Sequence, residues 1–232
     1  MTFQEMCEKD TTLQRIQQQV TEGLSKYSSL SPYADKVGKI LSQVLLDGIT
    51  PDLLTEDGYL TQDALDSFIL PLLKEGYLNV ADIAKALQEN INKGAEISFN
   101  AIKPAPDQDR LSHLAEKLLE REYSLTRWLL EDNALRNLTR SAITDTIREN
   151  ARLHQEAGLH AYMARYSKTF CCRWCSSVSG VFEFGQQPEG FWKVHKDCNC
   201  IIEYKPSKYS QPDVITFVTG GDQKLRKITK HG

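Results

Sequence analysis

Five of the six cysteines in this 232-residue chain fall within thirty residues: Cys171, Cys172, Cys175, Cys198 and Cys200. They sort into two short motifs. Cys172-Arg173-Trp174-Cys175 is a C-x2-C pair, and His195-Lys196-Asp197-Cys198-Asn199-Cys200 reads H-x2-C-x-C. A two-residue gap lets one tight turn aim two side chains at a single ion, and zinc takes four N or S ligands in a tetrahedron. The nineteen residues between Cys175 and His195 are enough for a hairpin and a short helix to bring the two turns together.

Five residues compete for four places. The strict mirror of C-x2-C is His195 with Cys198, which gives the set Cys172, Cys175, His195 and Cys198. Cys200 can replace His195 or Cys198, and Cys171 is least suited because its neighbour already serves. A closed shell leaves no position for water, so the expected Zn2+ is structural. It would supply folding free energy to a segment too small to bury a core of its own. The competing reading is a set of buried thiols beside an incidental histidine, since buried Cys is common. Two matched spacings weigh against it. The start of the chain, Met1-Thr2-Phe3-Gln4-Glu5, has neither the basic residues nor the apolar run of an export signal, which favours metal over disulfides.

Catalytic chemistry fits less well. A Cys nucleophile with His195 as base lacks a third group to orient it. A zinc deaminase would need His-x-Glu upstream of Pro-Cys-x2-Cys, and His113, His154 and His160 are read as not being followed by x-Glu in that arrangement. In an HNH-like nuclease His195 would be the only plausible base, with no second His or Asn framework around it. The chain is therefore expected not to be an enzyme.

The elements that must position these residues are mostly helical. At 41% hydrophobic residues the chain can bury a core, and no apolar run approaches the length needed to span a bilayer. Residues 4–26 read as one helix and 37–46 as a second. Thr61 looks like the N-cap of a third that Glu75-Gly76 closes, and a fourth runs from Asn79 or Asp82 to Asn92. A connector with Gly94, Pro104 and Pro106 marks the main break. Beyond Asp107, Leu111, Leu114, Leu118 and Leu119 share one helical face, Leu125, Trp128 and Leu129 follow, and Leu135 to Ile147 continue the pattern. Gly158 interrupts, with helix resuming through Tyr166. Val178–Phe184 and Ile201–Tyr204 are strand-like, Pro188–Lys193 is a short turn or helix, and Val214–Val218 is strand-like before a basic end.

The spacing and texture thus predict a mainly α protein with a small zinc-bound α+β module near its C-terminus. Its expected parts are an acidic helical region (1–105), a long-helix region (106–167), the zinc-binding module (168–206) and a strand-like, basic tail (207–232). Residues 1–105 hold 9 Lys and Arg against 15 Asp and Glu, and the remainder 19 against 16, so the halves face different neighbours or simply carry solvated surfaces. Arg136, Arg140, Arg148 and Arg152 lie four or eight residues apart on expected helix. They could meet phosphate, as could the terminal run from Lys224 to His231, although nearby Asp145, Glu149 and Glu156 also suit a solvated face.

The string Cys171–Cys175, the Gly180-Val181-Phe182-Glu183-Phe184 segment and Val194–Ile201 together resemble the C-terminal module of minor head proteins of tailed phages, in or near the Mu F-like head morphogenesis family. The resemblance extends over about 105–205, through a helix start after a Pro-containing connector (Pro106 to Arg110) and Gly158 shortly before the cysteines. Residues 1–105 match only in being helical and acidic. The chain departs from the family at Asn199, where members often have Arg. The resemblance implies a structural protein of the virion head, assembled in the bacterial cytoplasm, with portal and/or major capsid protein and packaged DNA as partners. A zinc-dependent nucleic-acid-binding regulator is the alternative, and the HNH-like nuclease a third.

Overall fold

A computed structural model describes residues 1–131, 133–167, 172–193 and 200–206. The described chain is mainly helical, with a small antiparallel sheet toward its C-terminal end. It groups into two compact units that do not follow the linear segments: Met1–Leu87 with Ile102–Thr146, and Gln88–Ala101 with the described residues from Ile147 onward.

In the first unit, α1 (Phe3–Lys9) and α2 (Thr11–Thr21) replace the single helix expected over 4–26. The break is local. The Asp10 carboxylate accepts the N–H groups of Thr12 and Leu13, which makes it the N-cap of a new helix. Helix α3 (Ser31–Gly48) begins earlier than its apolar pattern, with Pro32 in its first turn, where the missing N–H costs nothing. Thr61 caps α4 (Gln62–Ala64) as expected, its hydroxyl accepting from the Ala64 N–H.

A π-helical turn at Leu65–Ile69 leads directly into α5 (Leu70–Gly94). Pro71 has no N–H to give and its ring crowds the preceding turn, which accounts for the widened ladder just before it. The expected stop at Glu75-Gly76 does not occur. Gly76 lies inside α5 because Leu41 of α3 packs on it; a Cβ there would stand 2.7 Å from Leu41 Cδ2. The glycine marks a close helix approach, not an end.

The unit continues through α6 (Gln108–Leu119), capped by Asp107, then the short α7 (Tyr123–Thr126) and α8 (Trp128–Glu131), and into α9 (Asn133–Glu156). Leu111, Leu118, Leu129, Leu135 and Leu138 are buried as their spacing suggests, whereas Leu125 and Trp128 are exposed. Between α3 and α9, the Thr139 hydroxyl donates to the Ala34 carbonyl at 2.8 Å.

In the second unit α9 ends at Gly158, whose φ of +79 closes the helix while Leu159 N–H returns to the His154 carbonyl. The chain then forms β1 (Ala161–Ser167), where helix was expected to resume. β1 is the centre of the sheet, with β2 (Gly180–Glu183) on one side and β3 (Cys200–Pro206) on the other, both antiparallel. Pairing on both edges overrides the weak local preference of Ala161–Tyr166. The sheet therefore begins seven residues before the boundary expected for the small module. Helix α10 (Arg173–Ser177) precedes β2. The expected strand at Val214–Val218 and the basic tail lie outside the described residues.

Candidate metal centre

Cys172 is the N-cap of α10, and its Sγ accepts the Cys175 N–H at 3.4 Å, while the Ser176 N–H reaches the Cys172 carbonyl. One turn therefore carries both thiols of the C-x2-C pair, Cys172 exposed and Cys175 buried. An N–H aimed at sulfur suits the negatively charged form, which is the form that ligates metal. This turn fits one half of a soft tetrahedral site.

Cys200 opens β3, half-buried, with its Cα opposite Ser167 of β1. His195 and Cys198, with Cys171, lie outside the described residues. Among the described residues no group of three or more His, Cys, Asp or Glu is placed to hold a metal ion, so Cys200 does not form such a group with Cys172 and Cys175. None of the four described cysteines is disulfide-bonded. Cys7 is separate chemistry: burial in α1, aided by Glu75, Asp10 and Glu8, pushes its thiol up to about 12, which makes it an inert core residue.

The sequence reading missed Arg165. It is fully buried on β1 and donates from Nη1 to the carbonyls of Gly190, Phe191 and Lys193, the last at 2.8 Å. Its guanidinium carbon sits 5.2 Å from the centre of the Trp174 ring. The available signal was a lone Arg on an otherwise apolar run, Ala161-Tyr162-Met163-Ala164-Arg165. Around it Phe191 packs edge-on to Phe182 and Trp192.

Contrary to the expectation above, His154-Gln155-Glu156 does read His-x-Glu, but among the described residues His154 joins no group of three or more potential ligands. It is buried on α9, bonded through Nδ1 to the Tyr204 hydroxyl and packed against Phe99. Burial lowers its pKa and raises that of Tyr204.

The arginine row is not an open stripe. Arg136 Nε meets Asp35 Oδ1 at 3.0 Å, and Arg140 grips the same carboxylate bidentately at 2.6 and 2.7 Å. Arg152 pairs with Glu149 at 2.6 Å, and Arg148 lies 3.6 Å from it. No helix among the described residues is long and apolar enough to cross a membrane. Comparison of the chain with family models, curated proteins and solved structures finds no match.

Proposed function

We propose that this chain is a structural minor head protein of a tailed phage or prophage, in or near the Mu F-like head morphogenesis family. The observation that carries the reading is the Cys172–Cys175 turn, which leads into β2 of a small sheet whose third strand opens with Cys200. That is the setting in which the family's C-x2-C and H-x2-C-x-C strings would meet. Cys172 and Cys175 would hold zinc with His195 and Cys198, or with Cys200 in place of one of these. Bound there, zinc supplies a cross-link between two turns and no open position for substrate.

In this reading the working surfaces are helical, and they dock against portal or major capsid protein in the assembling head. Contact with packaged DNA would fall to the basic tail and to Arg148 and Arg152. These two are more exposed than Arg136 and Arg140, and their acidic partner Glu149 lies on their own helix, whereas Arg136 and Arg140 are held across to Asp35 of α3. That commitment also weighs against a nucleic-acid-binding regulator, which would need its cations open to phosphate.

The test is recovery with particles. DNA-filled heads from the strain that encodes the chain are banded on a density gradient and their proteins measured by mass spectrometry. The chain should band with the heads, at a small fraction of the capsid subunit. Recovery only in the soluble fraction would overturn the proposal.

A further inference from the structure

We infer that His154 is a proton-operated latch: one proton taken up by its buried ring releases β3 and residues 95–101 from the end of α9 together. Three separate pieces of the second unit meet at this side chain. It lies in the last turn of α9 and is fully buried. From β3, the Tyr204 hydroxyl is bonded to its Nδ1, and the two rings lie 5.6 Å apart. From the segment that follows α5, Phe99 sets its ring 6.2 Å away. That segment is tied back in turn, because Asn92 donates to the Phe99 carbonyl at 3.0 Å and accepts from Gln88 at 2.8 Å. Phe99 is 43% exposed, so its ring meets water on one side and the imidazole on the other.

The neutral ring suits this place and the charged ring does not. A neutral imidazole has one donor and one acceptor, so a single bond to Tyr204 satisfies Nδ1 whichever partner donates. Nε2 is left buried without a partner among the described residues, a far smaller cost for a neutral nitrogen than for a charged one. An imidazolium has two donors. Its Nδ1–H would point at the Tyr204 oxygen and force that hydroxyl to turn its own proton away, and its Nε2–H would meet no acceptor. No counter-charge faces it. Tyr204 stands against it from β3 and Phe99 from 95–101, while on α9 the nearest charges, Arg152 and Glu156, lie at the surface 3.6 Å from each other. The dipole at the end of α9 favours a cation, yet it brings no acceptor to Nε2, and the His154 carbonyl is already taken by the Leu159 N–H. Burial outweighs it and favours the neutral ring. Once opening admits water, the ring takes up its proton near pH 6.5. The open form therefore gains up to about tenfold for each unit of pH below that value, until the closed form protonates as well. Above it the latch is shut. Tyr204 and Phe99 leave the same ring, so the two segments open as one event.

The test is hydrogen exchange of the full chain, read by mass spectrometry and corrected for the intrinsic exchange rate at each pH. Among the described strands β3 pairs only with β1, so its amides report the release of Tyr204. Between about pH 7.5 and about pH 5.5, protection of 200–206 and of 95–101 should fall together by roughly tenfold, while α2 and α3 stay unchanged. His154→Gln should remove the fall, since an amide can still bond Tyr204 but takes up no proton. Phe99→Ala should admit water to the ring, bring its pKa back toward the ordinary value and so shrink the fall at 200–206. Should His154→Gln fail to fold, Phe99→Ala decides. A fall that persists in full in His154→Gln, as acid release of a bound metal would give, overturns the latch. So does an undiminished fall in Phe99→Ala, an unaltered chain whose protection ignores pH, or loss at 200–206 without loss at 95–101.

Discussion

The hydroxyl of Tyr204 on β3 meets Nδ1 of His154 on α9, and both side chains are buried. The other ring nitrogen, Nε2, is also buried and has no hydrogen-bond partner among the described residues. An imidazolium there would carry an uncompensated proton away from water, which is why burial holds the His154 pKa below its ordinary value.

That burial couples the second unit to pH. The unfolded chain takes up the His154 proton near pH 6.5, whereas the folded chain resists it. The stability this difference contributes is complete above about pH 6.5 and is lost as the pH falls below that value toward the folded pKa. Urea midpoints followed by tryptophan fluorescence should drop between pH 7 and 5, and His154→Gln should flatten the drop. An equally steep profile in the variant would exclude His154 as its source.

Gly76→Ala sets two effects against each other. Helix propensity favours Ala by about 1 kcal/mol, while forcing a Cβ to 2.7 Å from the buried Leu41 side chain costs about 1–3 kcal/mol. The overlap should win, leaving the first unit less stable by up to about 2 kcal/mol. Leu41→Ala in the same chain should remove the clash, so the two changes will couple strongly in a double-mutant cycle. Simple additivity in that cycle would show that the approach of α3 and α5 does not govern the site.

Asp35 serves two arginines of α9 from its place on α3, and all three groups keep some contact with water. Asp35→Asn should therefore cost only about 1 kcal/mol in chemical denaturation, above the usual surface pair because the Arg140 contact is bidentate. Most of that difference should disappear in about 1 M salt, where the screening length shrinks to about 3 Å. A difference unaffected by salt would mean that packing, not charge, was lost.

For the metal, elemental analysis should return about one zinc per chain, and Cys172→Ser should release it. Chelation should then speed proteolytic cutting within 172–206 while α1 to α6 stay protected, since structural zinc contributes folding free energy to the part that holds it. A metal-free chain with unchanged protease resistance and melting would count against a zinc staple.

Much of this protein is written in short-range signals. Asp10, Thr61 and Asp107 each cap a helix with an oxygen two or three residues from the N–H it accepts, and Gly158 ends α9 within one turn. The C-x2-C pair likewise folds as one turn because both thiols lie on it. Such interactions involve neighbours in the chain, so spacing is enough to read them. Asp10 even carried a signal that the helical pattern over 4–26 obscured.

The remainder depended on residues distant in the chain. Gly76 reads as a helix stop until Leu41, thirty-five residues earlier, is seen lying against it. Ala161–Ser167 has no strong strand signal, and becomes the centre of a sheet because β2 and β3 supply hydrogen bonds on both of its edges. Arg136 and Arg140 look like an open cationic row until Asp35 is placed between them. Arg165 is the sharpest case. The sequence by itself determined which residues could ligate a metal and how they are spaced, since that is a matter of side-chain chemistry and turn length. Only the tertiary structure decided that a buried guanidinium sits beside Trp174 and beneath Lys193. A charge is stable away from water only where the rest of the fold brings acceptors to it.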